Sequence, residues 1–173
     1  MEFDLTRRAA LLGGVAAFIA HPAMALPEYG FWPGLEFVDR AGAVFQIGHL
    51  NRALVFVNVW AHWCSACLAE MASLESLAAK LPVGRLEIVL LSHPDNWPAD
   101  QAAAARRGLR FRLATLGPGN PAWTRPAAFE ERGRTYSVPR SLVYRQATDS
   151  VVLTQDGPAQ WDSVMNVSRI NNL

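Results

Sequence analysis

The run Ala53-Leu-Val-Phe-Val-Asn-Val-Trp60 constrains this chain more than any other segment. It is continuously apolar apart from Asn58 and rich in β-branched and aromatic residues, the pattern of a strand buried on both faces, so it is expected to be the central strand of a sheet. Just beyond it the period changes. Leu68, Met71, Leu74, Leu77 and Leu81 recur every three or four residues until Pro82 and Gly84 stop the pattern, which predicts an amphipathic helix beginning at Cys64-Ser-Ala-Cys67.

Leu86-Glu-Ile-Val-Leu-Leu91 reads as a second buried strand, and Pro98 to Arg107 as a helix with proline in its first turn, arginines in its last and Gly108 beyond. Upstream, Leu35–Val38 and Ala43–Ile47 predict a short strand pair around Gly42. Downstream, Phe111–Ala114 predicts a strand, Gly117–Pro121 a loop and Arg125–Arg132 a short helix opened by Pro126. Arg140–Arg145 and Val151–Thr154 predict an antiparallel hairpin. Pro158 is expected to open a final helix carrying Trp161, Val164 and Met165 on one face. A βαβ half followed by a ββα half results: an α/β fold with a central sheet flanked by helices.

The chain has 173 residues, 51% of them hydrophobic, enough for one good core rather than two. Its formal charge is +1 and its basic residues are scattered, so no electrostatic footprint for nucleic acid is present. Two cysteines are too few for a disulfide framework or a four-cysteine zinc site. A bridge between them closes a very short loop that constrains little of the unfolded chain, which favours a redox role over a structural one.

Residues 1–25 read as a targeting segment: Arg7-Arg8, the apolar run Ala9–Ala20, then His21-Pro22 and the small-residue triplet Ala23-Met24-Ala25. The run is shorter than the ~20 residues that span a bilayer as a helix, so cleavage after Ala25 and periplasmic release are expected ahead of membrane anchoring by an uncleaved segment. The arginine pair resembles a twin-arginine signal, with departures at Ala10 and Leu12; an ordinary Sec signal is the alternative. Residues 26–34 are then an irregular segment, and 35–173 the folded domain.

A cysteine pair at a helix start has a chemical logic. The first turn offers unpaired N–H groups and the positive dipole end, which favour thiolate over thiol. Cys64 is therefore the expected nucleophile. Cys67, one turn on and nearer the core, can attack the mixed disulfide and release the product.

The segment Val57-Asn-Val-Trp-Ala-His-Trp-Cys-Ser-Ala-Cys67 resembles the active-site strand and motif of the thioredoxin superfamily. Its continuation, Cys67-Leu-Ala-Glu-Met-Ala-Ser-Leu-Glu75, is similar to the exported TlpA-like and ResA-like reductases, in which a Glu follows the second cysteine at this distance. Tyr136-Ser-Val-Pro-Arg-Ser-Leu-Val143 resembles that superfamily's segment with a cis-proline facing the cysteines. The resemblance implies a thioredoxin-like fold with a mixed sheet and a cis-Pro139. It also implies a Val138 backbone beside Cys64 that pairs with extended substrate, and a Trp63 that shields the thiol face. Ser65-Ala66 departs from the Gly-Pro of ordinary thioredoxins, and Ala72 stands where many of the exported relatives have proline.

Asn58 stands where ordinary thioredoxins have a buried Asp. An amide holds geometry but takes no proton at neutral pH, so Asn58 is read as structural. Glu70, one helical turn after Cys67, is either the proton acceptor for that cysteine or a solvated helix charge. Trp60 and Met71 are read as core and His93 as structural. His62 is expected to be a solvated loop histidine, the other reading being that its positive form favours the Cys64 thiolate.

The function implied is a periplasmic thiol:disulfide oxidoreductase, a reductase acting on protein thiols of the kind used in cytochrome c maturation or copper-site assembly. A membrane thiol donor would keep it reduced, and no cofactor or metal is expected. The alternative from another class is a copper-binding thioredoxin-like metallochaperone using both cysteines plus His62, His93 or Met71, since soft ligands suit Cu(I). A peroxidase with a single reactive cysteine and an adaptor with idle cysteines are weaker alternatives.

Overall fold

The computed structural model describes residues 34–120, 130–131, 134–135 and 137–173. The targeting segment over 1–25, the irregular stretch over 26–33 and residues 125–129 of the expected short helix lie outside the described residues.

Two β-strands, β1 (Glu36–Asp39) and β2 (Val44–Gln46), open the fold as an antiparallel pair whose turn contains Gly42 at φ 82°. β3 (Leu54–Trp60) is followed by α1 (Ser65–Lys80), β4 (Leu86–Ser92), α2 (Trp97–Arg106) and β5 (Arg112–Leu116). Two-residue strands β6 (Glu130–Glu131) and β7 (Arg134–Thr135) form a separate antiparallel pair. The chain closes with β8 (Arg140–Arg145), β9 (Ser150–Asp156) and α3 (Val164–Asn171). The main sheet runs β2-β1-β5-β4-β3-β8-β9. β3, β4 and β5 are parallel, and β1 and β8 join antiparallel, so the sheet is mixed.

Every residue of β3 is buried, as its sequence requires. Side chains alternate across a pleated strand. Leu54, Phe56 and Trp60 therefore enter a core cluster with Met71, Leu74 and Leu77 of α1, Ala103 and Ala104 of α2 and Ile170 of α3. Val55, Val57 and Val59 enter a second cluster with Val89, Leu91, Ala114, Leu142 and Tyr144. α2 ends where glycine is needed: Gly108 has φ 66°, and Gly108 and Leu109 donate N–H bonds back to Ala105 and Ala104.

Two expectations fail. Glu130 and Glu131 pair with Thr135 and Arg134 as strand, which excludes a helix continuing through Glu130 and Glu131. The final helix starts at Val164, not Pro158. Trp161 is 1% exposed and packs edge-on against Phe56 at 4.7 Å from a non-helical segment, while Val164 and Met165 are 89% and 77% exposed. The side chain that α3 buries completely is Ile170.

Candidate redox site

β3 ends at Trp60, and the next four residues turn the chain into α1. The Cys64 N–H donates to the Ala61 carbonyl at 3.0 Å, closing a turn with His62 and Trp63 at its corner. Cys64 is the N-cap of α1, with extended backbone, and its Sγ accepts the otherwise unpaired N–H of Cys67 at 3.0 Å. The two sulfurs are bonded as a disulfide, with Cα atoms 5.2 Å apart. Their access differs: Cys64 keeps 6% of its surface exposed and Cys67 none. A bond from a helix N–H to the outer sulfur is the arrangement that would hold a thiolate there once the pair is reduced.

Glu70 lies in the interior, 3% exposed, one turn beyond Cys67. Its Oε1 accepts from Asn58 Nδ2 at 2.7 Å, and its Oε2 accepts from the Ala159 N–H at 3.1 Å and Trp161 Nε1 at 3.2 Å. Burial raises its carboxyl above the usual range, against the lowering effect of those three bonds. The solvated-charge reading of Glu70 is thus excluded. Asn58 also donates to Ser141 Oγ at 3.0 Å, across the β3–β8 pairing in which the two residues face each other. Ser73 adds a second tie, accepting from the Trp161 N–H and donating to the Glu70 carbonyl.

On the other side of the motif, the His62 N–H and its ring Nδ1 both lie 2.7 Å from Asp100 Oδ1. Asp100 is fully buried in the first turn of α2. His62 is therefore a tethered residue and not a merely solvated one.

Pro139 is buried and the Val138–Pro139 peptide bond is cis. It directly precedes β8, whose Arg140 pairs with Val59, so Pro139 stands level with the end of β3 that feeds the cysteine turn. Val138 is half-buried and packs against both core clusters. Trp63 is 62% exposed beside Cys64. Trp60 and Met71 belong to the core, and His93 Nδ1 accepts the Asp95 N–H at 3.2 Å in the turn before α2. Among the described residues no group of three or more His, Cys, Asp or Glu side chains is placed to hold a metal ion.

Sequence reasoning singled out Cys64, Cys67, Glu70, Trp63, Val138 and Pro139 but passed over Asp100, Ser141 and the contact of Trp161 with Glu70. Asp100 looked like an ordinary acid in a helix's first turn. Only a fold that brings it across 38 residues to His62 shows otherwise.

The chain is similar to the thiol-disulfide oxidoreductase ResA of Bacillus thuringiensis, 28% identical over 82 residues that cover 47% of this chain and 47% of that protein. The likeness thus spans about half the length of that relative. No protein-family model matches. Among solved structures, StoA of Bacillus subtilis superposes with a TM-score of 0.59 at 14% identity, covering 79% of this chain and 98% of that one. A secreted Mycobacterium tuberculosis disulfide oxidoreductase homologous to Escherichia coli DsbE gives 0.57 at 22% identity, covering 78% and 94%. These structures share the fold.

Proposed function

We propose that the chain is a member of the thioredoxin superfamily, an exported thiol:disulfide oxidoreductase that reduces protein disulfides through Cys64 and Cys67; its fold and its likeness to ResA support this reading. The observation that carries this reading is the bonded Cys64–Cys67 pair at the N-terminus of α1, with the outer sulfur on a helix N–H and the inner one enclosed.

In the reduced protein the Cys64 thiolate attacks one sulfur of a substrate disulfide. A Cys64–substrate S–S bond forms as the substrate's own S–S bond breaks, and the departing thiolate takes a proton from water. Cys67, its proton passed to Glu70, then attacks Cys64 Sγ. The internal disulfide forms, the second substrate thiolate leaves, and two electrons have moved from protein to substrate. A dithiol donor reverses these steps to restore the protein. Enclosure of Glu70 supports its role, since a carboxyl held above its usual range is suited to receiving a thiol proton. Val138, ahead of the cis-Pro139, offers backbone to an extended substrate, and exposed Trp63 offers an apolar contact.

Export rests on the leader-like residues 1–25, and the secreted Mycobacterium tuberculosis relative in fold is in keeping with it. Substrates of this class are disulfides of periplasmic proteins, formed between cysteines such as those of apocytochrome c or a copper-delivery protein, with a membrane thiol protein as donor. Mixing the reduced chain with a fluorogenic peptide disulfide tests the reading. Cleavage by the wild type that disappears in Cys64→Ser is the expected result, and no cleavage by the wild type overturns it.

A further inference from the structure

Asp100 takes no part in the exchange steps above, yet it is the most enclosed carboxylate beside the motif. A buried carboxylate needs compensation by charge or by hydrogen bonds. Both bonds that Asp100 accepts fall on Oδ1 and both come from His62, while the buried Oδ2 has no hydrogen-bond partner among the described residues. One residue of the turn that delivers Cys64 thus supplies all the hydrogen bonding this carboxylate receives there. The backbone bond fixes the turn, and the ring bond fixes the imidazole.

With Nδ1 held on Asp100, the ring is fixed in orientation with Nε2 on its other side, and the side chain is 34% exposed. Other charged groups lie on the elements that meet at this corner. Glu70 on α1 turns to Asn58 and Trp161. His93 and Asp95, between β4 and α2, contact each other, and Arg140 at the start of β8 pairs with Asp156.

We propose that His62 and Asp100 form a positioning pair for the redox centre: Asp100, acting through His62, holds the Ala61–Cys64 turn and orients an imidazole whose charge sets how readily the Cys64 thiol ionises. This rests on the oxidoreductase reading. A cationic imidazolium in the turn favours thiolate over thiol, as in other arrangements where a nucleophile, a histidine and a carboxylate act in series. No proton passes between Cys64 and His62 in this scheme; water carries it.

The test is the rate of Cys64 alkylation by iodoacetamide in the reduced full chain from pH 5 to 9, read by mass spectrometry, for wild type, His62→Gln, Asp100→Asn and the double variant. The wild type should show a low-pH step that His62→Gln abolishes, with alkylation at pH 6 slowed about tenfold, the equivalent of one unit in the thiol. Asp100→Asn should slow it comparably, and the double variant no further, because the two act as one device. The reduction potential of both single variants should move to more reducing values. If Asp100→Asn does not fold, His62→Gln decides alone, its side chain being one-third exposed. Superimposable profiles for wild type and His62→Gln, or effects that simply add, overturn the pair while normal peptide cleavage leaves the oxidoreductase reading standing. A wild type that cleaves no peptide disulfide overturns both.

Discussion

The motif lies between two buried carboxylates that are held in opposite ways. On the Cys67 side, Glu70 accepts bonds from β3 and from the segment before α3, so it ties α1 to the sheet and to the end of the chain. On the Cys64 side, Asp100 accepts bonds from a single residue of a partly exposed turn. The inner cysteine is thus fully enclosed, and the outer one ends a partly exposed turn whose buried side-chain tie is Asp100. That difference suits the proposed chemistry, in which Cys64 attacks and must admit a partner, while Cys67 resolves and needs only a fixed path to Cys64 and a place for its proton.

The sharpest way to break this comparison is to exchange the roles of the sulfurs. Cys64→Ser should abolish exchange, and Cys67→Ser should leave a protein that accumulates a mixed disulfide on Cys64, seen by non-reducing electrophoresis and peptide mapping. Normal turnover by Cys67→Ser, or an adduct on Cys67 in Cys64→Ser, would mean that the enclosed side attacks.

Next in size is Glu70→Gln, which probes the inner side alone. The resolving step should slow about tenfold to a hundredfold and change its pH dependence, with Cys64 alkylation unchanged, by stopped-flow exchange with a model disulfide. Superimposable profiles would reduce Glu70 to a structural tie. The fold should tolerate the change, since Asn58 Oδ1, now without a partner among the described residues, can accept from the new amide. Stability supplies a second readout. Because the folded protein raises the Glu70 carboxyl, the native state keeps that proton to higher pH than the unfolded chain does. Its contribution is complete below the ordinary carboxyl range and is lost as pH rises through the raised value. Urea melts should therefore show the stability of wild type relative to Glu70→Gln falling from acid to neutral pH.

Trp63→Ala probes the outer side, where the exposed indole contributes little to the core. The KM for peptide disulfides should rise about threefold to tenfold with kcat and melting temperature held, by analogy with exposed aromatic anchors at other interfaces. Unchanged KM would remove Trp63 from the substrate surface.

The smallest effect belongs to a control remote from both sides. Tyr144 donates to Asp149, and burial with that acid pushes its phenol up to about 12. Tyr144→Phe should cost about 1 kcal/mol and leave exchange untouched, and an ultraviolet titration should lose a step at about pH 12.

What could be read in advance followed from short-range rules. The unbroken apolarity of Val55, Phe56 and Val57, the three-to-four spacing of Met71, Leu74 and Leu77, and the cysteine pair between them specify strand, helix and motif locally. The errors came where tertiary contacts decide. Pro158, Trp161, Val164 and Met165 have helical spacing, but Trp161 is drawn inward by Phe56 and Glu70, so the chain stays irregular until Ser163 caps α3 by accepting the Asn166 N–H. Asp100 and Ser141 carry no local signal, because each acquires its meaning from a partner far along the chain.

The central claim, that Cys64 and Cys67 form the redox pair of a disulfide reductase, is tested most directly by the reduction potential of that pair. Equilibrating the full chain with thiol–disulfide buffers and quantifying its oxidised fraction gives the value. Strong oxidants of this fold lie near about −120 mV and strong reductants near about −270 mV. The account predicts a value well below the oxidant end, lost altogether in Cys64→Ser. A potential near that of the strong oxidants would contradict the reductase assignment.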